Sequence, residues 1–285
     1  MAGKHAWPQQ ALAELASLQR TDLLRAGAAQ NYSTRHAERN MDANRYTNVL
    51  PYDHALLSGP YLNASRIPPL PESTPDARAC IASQAPTVGT FGAFYHHLCT
   101  EQVGTLLNLT PLVEGQIVKS HAYWPSSTSE PMRVEPGWTV ELLWERESTD
   151  ADTNGLTWRR LRLQPADGDA HELTLLHYTG WRDHGPLPMP QLLALLAEVH
   201  TACQGSPSGA PLWVHCSAGI GRSGTLIGVV LAEQLAPGAF ADASPMDLAV
   251  HITKYLREFR GGMVQTPGQL VTLAHAIEHV RQTKH

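Results

Sequence analysis

Pro211-Leu212-Trp213-Val214-His215-Cys216-Ser217-Ala218-Gly219-Ile220-Gly221-Arg222-Ser223-Gly224 decides how this chain is read. Leu212 to Val214 is a short apolar run of the buried-strand type, and it breaks into a glycine-containing loop. A helix opens near Arg222, with Leu226, Ile227, Val230 and Leu231 at helical spacing. Strand, tight loop and helix N-terminus together make an anion cradle, with loop N–H groups pointing inward and the positive end of the helix dipole behind them. The spacing places Cys216 at the base of the cradle and Arg222 on its rim, a nucleophilic thiolate beneath a phosphate-binding loop. A bare Cys-x5-Arg is weak evidence. His215, Gly219, Gly221 and Ser223 sharpen it, and none of Cys80, Cys99 and Cys203 has an arginine at that offset.

The composition limits what such a loop can serve. The 285 residues suit one large domain or two small ones, and 42% hydrophobic with 16% charged residues describes a soluble globular protein. A net charge of −5 offers no global attraction for nucleic acid or an anionic membrane, so neither is expected as a partner. An anionic substrate must then be drawn by local positive groups. The four cysteines form no CxxC and no framework spacing, which points to a reducing, cytoplasmic setting. The first residues, Met1 to Trp7, lack the apolar core of a signal peptide, and no apolar run reaches membrane-spanning length. Fifteen histidines include no HExxH and no paired His–Cys spacing, so no metal or other cofactor is expected. His96-His97 are expected on a helix surface.

Along the chain, residues 9 to 30 read as a helix whose apolar stripe is Leu12, Leu15, Leu18, Leu23 and Leu24, for packing without chemistry. Strands are expected at 61–65, 80–84, 104–109, 138–145, 157–163 and 171–178. Thr90 is placed to cap a helix carrying Phe91, Phe94 and Leu98. Residues 114 to 125 read as a loop, and Asp152-Thr153-Asn154-Gly155 as a hairpin-type turn. Helices follow at about 190–202, 222–235, 245–259 and 267–283. Ser244-Pro245 supplies an N-cap and N1 proline to the third, and Gly261-Gly262 ends it. No repeat, linker or composition shift marks a boundary, so residues 1–285 are expected to be one domain, with 1–30 a helical lead-in, in a monomeric protein.

A series of further motifs surrounds the cradle: Asn44-Arg45-Tyr46, Leu50-Pro51-Tyr52-Asp53-His54, Leu62-Asn63-Ala64-Ser65 and Ile81-Ala82-Ser83-Gln84. Tyr123-Trp124-Pro125, Trp181-Arg182-Asp183 and the run Gly262 to Gln269 complete it. In this order, from about Asn31 to about Val280, they resemble the phosphotyrosine-specific protein tyrosine phosphatases, the cysteine-dependent catalytic domain of non-receptor type. The resemblance implies an α/β fold in which a single strongly twisted mixed β-sheet is flanked by α-helices on both faces. It implies hydrolysis of phosphotyrosine-containing proteins through a cysteinyl-phosphate intermediate.

The resemblance also distributes roles. Cys216 is the nucleophile, its pKa lowered from about 8.5 by loop N–H groups, the helix dipole and Arg222. Ser217, Ala218, Gly219, Ile220 and Gly221 cradle the phosphate with Arg222, whose planar guanidinium matches the spread charge of a loose phosphoryl transition state. His215 supports the thiol, and the Ser223 hydroxyl assists breakdown of the thiophosphate. Asp183, carried in by loop closure, protonates a phenoxide whose conjugate acid has pKa about 10 and then serves as base for water. Gln265 positions that water, with Gln269 a second candidate. Lys119 contacts the closed loop or the phosphate, and Glu114 orients Arg222. Tyr46 stacks on the substrate ring and sets a pocket depth that phosphoserine does not span. Arg45, Arg257 and Arg260 are expected to be structural or rim charges.

Two positions depart from the family pattern. Arg182 stands where a loop proline is usual, which frees φ and adds a charge, and altered loop closure is expected. Asn48 replaces an aspartate that holds the substrate backbone, keeping an acceptor and losing the charge. The competing readings are a silent phosphotyrosine-binding module, which would have lost Cys216, Arg222 or Asp183, and a dual-specificity phosphatase, which would lack the Asn-Arg-Tyr wall.

Overall fold

Every residue of Leu212–His215, Cys80–Ser83 and Thr105–Asn108 is buried. Apolar runs covered on both faces belong in the interior of a parallel sheet, and there these three lie side by side. The computed structural model describes residues 7–27 and 31–283. In chain order these form α1 (Trp7–Gly27), α2 (Arg35–Arg39), β1 (Ala64–Ile67), β2 (Cys80–Ser83), α3 (Phe91–Thr100) and β3 (Thr105–Asn108). Next come β4 (Val113–Glu114), β5 (Ile117–Val118), β6 (Met132–Val134), β7 (Trp138–Glu147), β8 (Leu156–Pro165) and β9 (His171–Tyr178). The chain closes with α4 (Met189–Gln204), β10 (Leu212–His215), α5 (Gly221–Glu233), α6 (Pro245–Phe259) and α7 (Pro267–Thr283).

The eight-stranded sheet runs β1-β2-β10-β3-β9-β8-β7-β6. Its centre, β2-β10-β3-β9, is parallel, and β1 on one side and β8, β7 and β6 on the other are antiparallel. Successive residues of a strand face opposite sides, and the sequence uses both. Leu212, Val214, Ala82, Leu107 and Leu176 join the core built with α1 and α4 to α7. Trp213, Ile81, Leu106 and Leu175 join a smaller core under α3. This is the mixed sheet with helices on both faces that the motifs imply. β10 is central, so whatever follows His215 emerges at the C-terminal end of the parallel strands, where open α/β sheets bind their ligands.

Several local expectations change. The buried face of α1 is Trp7, Ala11, Leu15 and Leu18, whereas Leu12, Leu23 and Leu24 are exposed. The expected helical stretches 1–6 and 28–30 lie outside the described residues. The first strand is shifted to Ala64–Ile67. Residues 114 to 125 are not all loop, since Val113↔Val118 and Glu114↔Ile117 pair as a two-stranded hairpin. His97 is not on a helix surface; it is fully buried and its Nε2 bonds the Pro60 carbonyl at 2.7 Å. Thr90 does not cap α3 with its side chain; its hydroxyl is engaged with Thr87 one turn earlier. The Ser244 cap forms as expected, its Oγ accepting the Asp247 N–H at 3.1 Å.

Candidate active site

The loop after β10 turns back on itself at Gly219, whose φ is +73°. A Cβ there would lie 2.0 Å from the Ser83 carbonyl oxygen, so the neighbouring strand leaves room for glycine alone. Gly224, one turn into α5, packs as tightly: a Cβ would meet the Val264 nitrogen at 2.5 Å. The spacing of glycines in the motif thus seats the loop between β2 and the 262–265 segment.

Cys216 lies buried at the floor of a cleft of about 200 Å³. The Gly219 N–H donates to its Sγ at 3.3 Å. Burial works to raise the thiol pKa, but the Arg222 charge, the Ser223 hydroxyl and N–H, and the Gly219 N–H outweigh it, and the net shift is downward. Ser217, Ala218, Ile220, Gly221 and Arg222 form the cleft wall on this side. Tyr46, Asn48, Lys119, Asp183 and Gln265 also line the cleft. Tyr46 Oη and Ser217 Oγ are 2.7 Å apart, and Ser217 Oγ donates to the Lys119 carbonyl at 2.7 Å. His215 does not touch the thiol. Its Nδ1 lies 3.0 Å from the Cys216 carbonyl and its Nε2 2.7 Å from Tyr123 Oη, and burial pushes its pKa down to about 3, so the ring is neutral.

The loop carrying Asp183 is folded over the cleft. Arg222 Nη1 donates to the Trp181 carbonyl at 2.9 Å, and Thr266 Oγ1 donates to the His184 carbonyl at 3.2 Å. Trp181 is buried and its Nε1 donates to the Gly185 carbonyl at 3.0 Å. The Asp183 carboxylate lies between Lys119 Nζ at 2.7 Å and Arg222 Nη2 at 3.1 Å. Burial alone would raise its pKa; Lys119, Arg222 and His184 hold it below the usual carboxylate value. Arg182, the departure at the loop proline, is exposed.

Two expected contacts are placed differently. Glu114 does not bond Arg222; its Oε1 accepts the Asp183 N–H at 3.1 Å and its Oε2 has no hydrogen-bond partner. It holds the acid loop and not the guanidinium. Gln269 is fully buried beneath the cleft, with Oε1 accepting the N–H groups of Gln265 and Thr266 at 2.9 and 3.2 Å.

Sequence reasoning assigned Arg260 no more than a rim or structural charge, and missed what it holds. It is buried, with Nε donating to the Gly219 carbonyl at 2.9 Å and Nη2 to the Ala218 carbonyl at 3.0 Å. Asn63 Oδ1 accepts from Arg260 at 2.6 Å, while Asn63 Nδ2 donates to Asn44 Oδ1 and to the Val49 carbonyl at 2.8 Å each. Gln84 accepts the Arg45 N–H at 2.8 Å and donates to the Ala43 carbonyl at 2.8 Å. The separate sequence motifs are therefore one hydrogen-bonded frame around the cleft. The signal available in sequence was their polar character inside otherwise apolar runs.

A family model described as protein-tyrosine phosphatase matches residues 40–279. Tyrosine-protein phosphatase 1 of Caenorhabditis elegans is 31% identical over 246 residues, covering 84% of this chain and 23% of that protein. Human tyrosine-protein phosphatase non-receptor type 2 is 30% identical over 241 residues, covering 81% and 54%. Human receptor-type tyrosine-protein phosphatase H is 34% identical over 263 residues, covering 88% and 22%. The chain thus spans from about a fifth to somewhat over half the length of these relatives. Among solved structures, the Trypanosoma cruzi protein tyrosine phosphatase TcPTP1 superposes with TM-score 0.77 at 28% identity, covering 96% of this chain and 93% of that one. The catalytic domain of human protein tyrosine phosphatase non-receptor type 18 gives 0.77 at 27% identity, covering 95% and 96%. With the match running through the frame, the cleft and the acid loop alike, this chain belongs to the protein-tyrosine phosphatase family.

Proposed function

We propose that this chain hydrolyses phosphotyrosine in proteins through a phosphorylated Cys216. The observation that carries the reading is a thiol whose pKa is lowered on the floor of a narrow cleft, with Arg222 and Asp183 above it. Phosphate monoester hydrolysis is among the slowest reactions in water, so positioning and charge stabilisation must supply most of the rate. The phosphoryl group enters against the 217–222 backbone, and the guanidinium of Arg222 takes two of its oxygens. Sγ attacks phosphorus while the phenol oxygen leaves and collects the proton of the Asp183 carboxylic acid. Water, held by Gln265, then attacks the thiophosphate; Asp183 takes the water proton, phosphate departs, and the thiolate reforms with the Ser223 hydroxyl stabilising it. Tyr46 and Asn48 flank the phenyl ring, and the depth of the cleft excludes shorter phosphoserine.

Lys119 and Arg222 hold Asp183 ionised, yet the first step needs it protonated. The substrate resolves this. A phosphate dianion takes up Arg222 and brings negative charge beside the carboxylate, and both effects raise its pKa. All four cysteines are free thiols, which supports a reducing compartment such as the cytoplasm. Among the described residues no helix is long and apolar enough to cross a membrane.

The test is aryl phosphate and phosphotyrosine-peptide hydrolysis by the wild type, Cys216→Ser and Asp183→Ala. Cys216→Ser should release no phosphate. Asp183→Ala should lose about two to four powers of ten in kcat while still binding phosphotyrosine proteins. Turnover by Cys216→Ser would overturn the reading.

A further inference from the structure

Gln265 follows a strained residue. Val264 is β-branched, fully buried and left-handed, with φ +55°, a conformation that such a residue keeps only where its surroundings over-determine it. Three bonds do so. The Val264 N–H donates to the Ile220 carbonyl at 3.1 Å. Arg257 Nε donates to the Met263 carbonyl at 2.9 Å, and its Nη2 to the Val264 carbonyl at 3.1 Å. Arg257 is itself buried, and its remaining nitrogen, Nη1, is taken by Asp22 Oδ2 at 2.8 Å. The same Oδ2 accepts the Gly262 N–H at 3.2 Å. Asp22 therefore grips both ends of the turn that delivers Gln265: the backbone at 262 directly, and the carbonyls at 263 and 264 through Arg257.

Asp22 belongs to α1, ahead of the residues 40–279 that the family model matches. Its side chain is only 18% exposed, and Oδ1 has no hydrogen-bond partner, although Arg25 Nη1 lies 3.7 Å away. Burial of this carboxylate raises its pKa, against the pull of Arg257. A helix that only packed would fill this position with an apolar side chain.

We propose that Asp22 is a positioning residue for the second half of the reaction, setting Gln265 against the cysteinyl phosphate; this rests on the reading of the site given above. Gln265 acts on the water that attacks phosphorus and displaces Sγ, with the water proton passing to Asp183. It has no part in the earlier transfer from the phenol oxygen to Sγ. Loosening the turn therefore slows the second step and leaves the first.

The kinetic signature is specific. kcat/KM reports steps up to release of the phenol and stays unchanged, whereas kcat and KM fall together. The experiment compares wild type, Asp22→Asn, Asp22→Ala and Gln265→Ala with an aryl phosphate, following the phenol burst, the steady state and the phosphate-mass adduct on quenched protein. In both Asp22 variants, as in Gln265→Ala, we expect kcat and KM to fall in parallel, by up to about a hundredfold in Asp22→Ala, with a stoichiometric burst and a larger phosphoenzyme fraction. Asp22→Asn keeps the shape and an acceptor oxygen, so it carries the test should Asp22→Ala not fold. Wild-type kinetics in whichever variants fold, or a fall in kcat/KM matching that in kcat without adduct, overturns the proposal alone. A wild type that releases no phenol overturns the reading of the site and this proposal with it.

Discussion

Asp183 and Arg222, 3.1 Å apart, compete with the substrate for each other. In the free protein the carboxylate is held below its usual pKa, so the protonated form needed for the first step is scarce at neutral pH. On the mechanism proposed above, a bound dianion would displace this ion pair and raise that pKa. kcat/KM reports the free protein and kcat the complex. The alkaline limb of kcat should therefore lie at higher pH than that of kcat/KM, and Asp183→Asn should flatten both. Coincident limbs measured with an aryl phosphate would show that the ion pair has no influence on the acid. At this scale much was legible in the sequence, because Cys216, Arg222 and Ser223 are held by a contiguous stretch whose geometry is local. Glu114 was misplaced, since its partner is the backbone N–H of Asp183 and not the Arg222 guanidinium. Side-chain choice between two close acceptors or donors depends on loop closure, which local pattern does not encode.

The loop from Trp181 to Gly185 is latched from three elements: α5 through Arg222, the hairpin β4–β5 through Glu114, and the 262–266 turn through Thr266. Thr266→Val removes the last of these together with the bond that the same hydroxyl accepts from the Gln269 N–H at 3.3 Å. A net hydrogen bond is worth about 0.5–1.5 kcal/mol, so Thr266→Val should lower kcat by roughly twofold to tenfold, read by steady-state assay alongside the fluorescence of buried Trp181; an unchanged kcat would mean the latch is idle. Element existence was well read where strands were wholly apolar or helices long. The β4–β5 hairpin was not, because two-residue strands carry no periodicity. In α1 the leucines suggested one stripe while Trp7, Ala11, Leu15 and Leu18 supplied the buried one. Both stripes satisfy helical spacing, and only the positions of α6 and α7 decide between them.

Across the whole molecule, buried imidazoles set the response to acid. His215 has its pKa pushed down to about 3 and His177 to about 4, each from 6.5 and each chiefly by burial. A group whose folded pKa is depressed contributes stability that is complete above the unfolded value. As pH falls below about 6.5 the unfolded chain takes up protons that the folded one refuses, and stability declines until the folded pKa is passed. Each histidine should then remove up to about 1.4 kcal/mol per pH unit, seen as a falling urea midpoint between pH 6.5 and 4; a midpoint constant across that range would contradict the burial of these rings. Asp53 and Asp183, also depressed, add to the loss at the acid end. Long-range pairings such as Arg260 with Asn63 and the loop carbonyls were the least legible feature, because residues so far apart in sequence meet only once the sheet order exists. The same holds for α1. Trp7, Ala11, Leu15 and Leu18 fill a trench between helices, and stripping them off would leave an oily scar on the catalytic unit. A fragment begun at residue 40, where the family model's match starts, would lose that cover and be a different object from the protein it was meant to stand for.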